Sequence, residues 1–220
     1  MKNYVVAFDL DGLMIDSENF YLKLIINYNN QNGHHFTKKF YIENCLGKKR
    51  DQITLELSKL WGESFDFETY WKELFIIRNE ALKINKIKKK KGLMKLLKYL
   101  KSNNIKTAIV SSSSTEMIKM LLNNSDISLD YFDKIIGSEL VANVKPSPDL
   151  YTLACKMFDI DPKKMFAIED SRVGIEAAYN AGVKPILIPD LIVSSTEVEK
   201  RIIAKFNSLD EIIPFLQNLE

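Results

Sequence analysis

Tyr4-Val5-Val6-Ala7-Phe8-Asp9-Leu10-Asp11-Gly12-Leu13-Met14-Ile15-Asp16 is the stretch from which the rest of the chain can be read. It opens with an unbroken apolar run, Tyr4 to Phe8, short and containing two valines. Such a run suits a strand buried on both faces of a parallel sheet. The run stops at two carboxylates two residues apart, Asp9 and Asp11, which strand geometry sends to the same side. Two acids that close repel one another unless a proton or a cation lies between them. Mg²⁺ is the common solution, because it prefers hard oxygen ligands and also grips phosphate. Gly12 lets the chain leave the strand with few steric limits. In open α/β sheets, ligands bind beyond the carboxyl ends of the strands, where this pair falls. Taken alone, Asp-x-Asp-Gly also fits an acidic turn.

Downstream of Asp16 the hydrophobic period changes from that of a strand to that of a helix. Leu22, Ile25 and Ile26, then Ile53, Leu57 and Leu60, then Trp71, Leu74, Phe75 and Leu82 recur at helical spacing. No strand pattern precedes Lys101. Residues 16–88 are therefore expected to form a helical cap, inserted after the first strand of an α/β core made of residues 1–15 and 89–220. The lysine run from Lys86 to Lys91, broken by Ile87, is expected to be a solvated return connection. His34 and His35 fall in a turn and carry no catalytic expectation. Glu18 and Glu43 are expected on solvated faces or at helix caps.

Three further strands end in chemistry-bearing residues. Ile105 to Val110 runs into four serines, Ser111 to Ser114, a good anion cradle that a plain serine N-cap would also explain. Lys134 to Gly137 forms a short strand, followed by Val144-Lys145-Pro146-Ser147-Pro148-Asp149. The prolines keep Lys145 out of any helix and in a stiff loop, and Pro148-Asp149 opens the next helix. Met165 to Ile168 is another buried strand, ending at Glu169-Asp170-Ser171. These adjacent acids repeat the logic of Asp9 and Asp11, although Asp170 would also serve as an N-cap. Ile186 to Ile188 gives a fifth strand, Arg201 to Phe206 a sixth, and Leu209 to Leu219 a closing helix.

Four such motifs at strand ends, in this order, resemble those of the haloacid dehalogenase-like hydrolases. The group within them that the chain is most similar to contains phosphoglycolate phosphatase and β-phosphoglucomutase. The resemblance spans Tyr4 to about Pro189 and implies a Rossmann-like parallel sheet with helices on both faces and a helical cap. It implies that Asp9 is the nucleophile that becomes an aspartyl phosphate, and that Asp11 protonates the leaving group and then activates water. It further implies that Ser111, with Ser112 and neighbouring amides, holds the phosphoryl group, and that Lys145 neutralises charge. Mg²⁺ would be held by Asp9, the main-chain carbonyl of Asp11, and Asp170, with Glu169 in an outer position or as an extra ligand. Leu46-Gly47-Lys48-Lys49-Arg50 lines up with the cap loop of the group, so Gly47 and Arg50 are expected at the substrate.

The function expected is a Mg²⁺-dependent phosphatase for a small phosphorylated metabolite, with a β-phosphoglucomutase-like phosphomutase as the alternative. Mutases of the group carry a cap His and a cap Lys where this chain has Tyr21 and Leu46. Asp11 counts against a haloacid dehalogenase, which lacks the second aspartate. A signalling receiver is shorter, has no helical insertion and orders its acids differently.

A formal charge of +2 over 220 residues offers no electrostatic case for nucleic acid or an anionic membrane. No apolar stretch approaches the roughly 18 residues of a membrane helix. Cys45 and Cys155 show no metal-binding or redox spacing. The N-terminal residues carry no secretory pattern. A cytoplasmic enzyme, monomeric or weakly dimeric, acting on a small-molecule phosphate ester, is the expectation.

Overall fold

The computed structural model describes residues 4–46, 48, 50–190 and 196–219. The chain divides into two compact units, one formed by Met1–Asp16 with Lys88–Glu220 and the other by Ser17–Ile87.

The first unit is a Rossmann-like α/β fold. Its strands are β1 (Val5–Phe8), β2 (Lys106–Val110), β3 (Lys134–Ile136), β4 (Met165–Glu169), β5 (Lys184–Leu187) and β6 (Ala204–Lys205). They form one sheet in the order β3-β2-β1-β4-β5-β6, and every neighbouring pair is parallel. The run Val5–Phe8 is fully buried because β1 is central, with β2 on one side and β4 on the other. From β1 the chain moves outward through β2 and β3, then returns to β4 on the opposite side. The strand order thus reverses beside β1, the place where open sheets bind ligands.

Register decides what meets there. Phe8 pairs with Ile109 of β2 and Ile168 of β4, so the next residues, Asp9, Val110 and Glu169, stand level at the carboxyl edge. One face of the sheet carries a row of small side chains, since Ala7 is in register with both Ala108 and Ala167. Small residues in a row leave room for large ones above, and α7 (Asp149–Phe158) places Leu150, Tyr151 and Ala154 in the same buried cluster. Helix α8 (Arg172–Asn180) adds Ala177 and Ala178 to it. Helix α5 (Leu93–Ser102) buries Leu93, Leu96, Leu97 and Leu100, the i, i+3, i+4, i+7 stripe of an amphipathic helix.

Among the described residues, the second unit has the helices α1 (Ser17–Gln31), α2 (Lys38–Asn44), α3 (Arg50–Trp61) and α4 (Phe67–Ile84). Thr37 and Asp66 cap α2 and α4 by accepting from Phe40 N and Thr69 N. Phe36, Cys45, Leu57 and Tyr70 form its buried centre, with Trp61, Phe65 and Phe67 packed around them. His34 packs against Trp61 with the rings tilted and their centroids 4.8 Å apart, a packing role. Glu18 accepts from the Tyr41 hydroxyl at 3.1 Å.

The lysine run departs from a purely solvated connection. Lys89 Nζ donates to Ser125 O at 2.6 Å, and Lys90 Nζ lies 2.6 Å from Asp190 Oδ1 and 3.7 Å from Asp16 Oδ1. These partners stand 36 to 100 positions away in the chain, so local charge patterning gave no sign of them.

Leu100 is wholly buried on the α5 stripe. Leu100→Ala is expected to lower the unfolding free energy by about 2–5 kcal/mol, read as a lower midpoint in urea with an unchanged slope.

Candidate active site

The site grows out of the strand ends. Asp9 continues β1, its N–H donating to Ile168 O at 3.1 Å, and its side chain is buried. Gly12 follows with φ +80°, in the left-handed region. A Cβ there would stand 2.1 Å from Asp170 Oδ2, so the position needs glycine both for its backbone angle and for the approach of Asp170. Beyond β2, Ser111 is buried, and its hydroxyl accepts from Ser113 N at 3.0 Å. Ser113 Oγ in turn donates to Asp11 Oδ2 at 3.1 Å. Ser112 is exposed. Ser114 caps α6 (Thr115–Asn124) by accepting from Met117 N. The serine run therefore supplies both an N-cap and a site, with the work divided residue by residue.

Lys145 is the centre of the arrangement. Its side chain is 4% exposed, and Nζ reaches Asp9 Oδ1 at 2.6 Å, Glu169 Oε1 at 2.7 Å and Val110 O at 2.8 Å. These three partners belong to the three strands that register sets level. Burial works against the ammonium, but Asp9 and Glu169 outweigh it and hold its pKa above the ordinary lysine value.

Glu169 is fully buried at the end of β4. Its Oε1 accepts from both Lys145 and the Tyr151 hydroxyl, whereas Oε2 has no hydrogen-bond partner among the described residues. Burial pushes this carboxyl up to about 7, Asp9 adds to the shift, and Lys145 opposes it. Asp170 is pushed well up by burial, then by Asp9, Glu169 and Asp190. Burial and Glu169 raise the Tyr151 phenol, which stays protonated as a donor. A Cβ at Gly174 on α8 would meet Glu169 Oε2 at 1.9 Å, so this glycine makes space for the carboxylate.

Carboxylate oxygens of Asp9, Glu169 and Asp170 lie within 4.8 Å of one another. An all-oxygen set with an orphaned buried oxygen fits a hard divalent cation, not a soft one. The first unit thus brings together Asp9, Asp11, Ser111, Lys145, Glu169 and Asp170. Sequence reasoning missed three residues here. Tyr151 looked like one more core position of α7, Ser113 stood inside a run of four serines, and Gly174 sat in a helix. Glycine inside a helix was the one available sign, since it costs about 1 kcal/mol against alanine.

Arg50 belongs to the second unit, and Gly47 lies outside the described residues. Within that unit Arg50 and Tyr21 line a cavity of about 700 Å³ together with Leu24, Trp71, Phe75 and Arg78. The Arg50 guanidinium lies 5.2 Å from the Trp71 ring centre and that of Arg78 4.9 Å from Phe75. Arg78 Nε is buried with no hydrogen-bond partner among the described residues. The lining is thus apolar and aromatic, with two planar cations. No helix of the described residues is long and apolar enough to cross a membrane.

Known proteins share this architecture. The chain is 26% identical over 181 residues to a phosphorylated carbohydrates phosphatase of Thermotoga maritima, covering 82% of each chain. Over 115 residues it is 34% identical to the β-phosphoglucomutase of Bacillus subtilis, which is 48% of this chain and 49% of that one. The crystal structure of a β-phosphoglucomutase from Clostridium difficile superposes with a TM-score of 0.73 at 26% identity, covering 99% of this chain and 96% of the other. The family model for haloacid dehalogenase-like hydrolases matches residues 6–188. The chain belongs to the haloacid dehalogenase-like hydrolase family.

Proposed function

We propose that the protein is a Mg²⁺-dependent phosphatase that hydrolyses a small phosphorylated metabolite, a sugar phosphate or a phosphoglycolate-like ester, through a phosphoaspartate at Asp9. The observation that carries this reading is the buried Lys145 ammonium joining Asp9 to Glu169, two members of a cluster of three carboxylates completed by Asp170. One lysine among three clustered carboxylates makes a site that gains from a cation and a phosphate together.

Asp9, the Asp11 main-chain carbonyl and Asp170 would hold Mg²⁺, with Glu169 offering Oε2, because its Oε1 is already shared by Lys145 and Tyr151. Bound there, the cation would supply positive charge to offset the phosphoryl oxygens. In the first step the Asp9 carboxylate forms a bond to phosphorus as the ester P–O bond breaks, and Asp11 gives its proton to the departing oxygen. In the second step water attacks the phosphoaspartate and yields its proton to Asp11, releasing inorganic phosphate and restoring Asp9. Ser113 holds Asp11 through its hydroxyl, while Ser111 orders the loop that faces the phosphoryl group. Lys145 holds and aims Asp9 through the contact of its ammonium with Oδ1.

The helical unit, inserted between Asp16 and Lys88, is read as the cap that selects the leaving group. Its apolar cavity with two arginines supports that role. The second reading, a β-phosphoglucomutase-like phosphomutase, is favoured by the similarity to the Bacillus subtilis enzyme. Against it, Tyr21 and Leu46 occupy the places where mutases of the group carry a cap His and a cap Lys.

Asp9→Asn keeps the shape of the side chain and is expected to abolish turnover of a phosphate-ester panel without loss of the folded far-UV spectrum. Retained turnover in that variant would refute the role of Asp9. Chelation is expected to silence the wild type, and added Mg²⁺ to restore it. Trp71→Ala and Arg78→Ala are each expected to raise KM for the best ester of the panel more than they lower kcat. An unchanged KM in both would remove the cavity from substrate binding.

A further inference from the structure

Asp190 stands three residues beyond β5, and nothing in the mechanism above uses it. Its side chain is 11% exposed. Oδ1 takes Lys90 Nζ at 2.6 Å, and the same ammonium leans 3.7 Å from Asp16 Oδ1. Lys90 is itself fixed, because its main-chain N–H donates to Met14 O at 2.9 Å, in the loop that follows Asp11. The carboxylate of Asp190 is thus held from one side by a cation tied to the nucleophile loop.

Its other oxygen is unusual. Oδ2 is buried and has no hydrogen-bond partner among the described residues. A Cβ on Gly12 would stand 3.4 Å from Asp190 Oδ2 and 2.1 Å from Asp170 Oδ2. The two carboxylates therefore approach the same glycine, with no side chain to separate them. A buried acceptor without a donor is costly, and two carboxylate oxygens crowded on one glycine add to that cost. Both costs are offset if hydrogens of a cation's water ligands point at Asp190. Magnesium keeps several waters when proteins bind it, and those waters need acceptors.

We propose that Asp190 is a positioning residue for the metal: its free oxygen accepts a hydrogen from a water bound to the cation, and Lys90 aims it. The proposal rests on the reading that Asp9, Asp170 and Glu169 hold the cation. Asp190→Asn discriminates well, because Lys90 needs an acceptor and so keeps the amide oxygen on its own side. The amide nitrogen then faces Asp170, a donor where the bound water requires an acceptor.

The test is titration calorimetry of the full chain with MgCl₂, beside thermal melting with and without the metal. Wild type, Asp190→Asn, Lys90→Met and Asp170→Asn are compared. Asp190→Asn is expected to weaken Mg²⁺ binding by about 10–100-fold, while its metal-free melting temperature stays at or above that of the wild type. Lys90→Met is expected to weaken binding in the same direction by less. A Kd unchanged in Asp190→Asn, or a lower metal-free melting temperature with unchanged Kd, would overturn the proposal and leave Asp190 a structural residue. Asp170→Asn keeps the two failures apart. If it binds Mg²⁺ as the wild type does, the acidic cluster is not the cation site, and the role of Asp190 falls with it.

Discussion

An ammonium group shut away from water between two carboxylates is the constraint on which the site depends. Lys145 is almost wholly buried, and burying a charge of either sign is costly unless it is paired and hydrogen-bonded. All three of its donors are used, on Asp9, Glu169 and Val110. That geometry is possible because parallel register sets the ends of β1, β2 and β4 level, so three strands offer one oxygen each to a single point. The stiff loop through Pro146 and Pro148 delivers the lysine from a part of the chain 136 positions after Asp9. Removing any one of these supports would leave a charge buried without its counterpart.

The same pairing explains why the site calls for more positive charge than the chain supplies. Three carboxylates within 4.8 Å share one lysine, and burial pushes both Glu169 and Asp170 upward. Under the function proposed above, a divalent cation held among these carboxylates would offset their crowding and favour a phosphoryl group beside it. Gly12 and Gly174 serve this arrangement directly. Each removes a side chain from the place where a carboxylate oxygen must stand. Backbone freedom matters at Gly12, and sheer space matters at Gly174.

Much of this was legible in the sequence, for particular reasons. Val5–Phe8 and Met165–Ile168 are buried throughout and read as continuous apolar stretches, and β2 is buried from Thr107 to Val110. Each stops abruptly at polar residues, which places the chemistry at a strand end without any knowledge of the fold. Helical periodicity through residues 16–88 likewise marked the inserted unit. What stayed hidden depends on pairing across the fold. Tyr151 reads as one more apolar position of an amphipathic helix until register and the alanine row place its hydroxyl on Glu169. Ser113 was indistinguishable from its neighbours, because a run of four serines does not say which one faces Asp11. Lys90 and Asp190 are 100 positions apart, and a lysine run ordinarily means solvent. Arg50, Trp71 and Arg78, spread over 28 positions of the sequence, likewise line one cavity only through the packing of the second unit.

The central claim is that phosphate passes through Asp9 and does not go directly to water. The most direct measurement is the stereochemical course at phosphorus, using an ester made chiral with oxygen isotopes and an alcohol acceptor in place of water. Two successive in-line displacements, with Asp9 as the intermediate carrier, predict overall retention of configuration. Inversion would mean a single displacement by the acceptor, and would contradict the account of Asp9 as nucleophile.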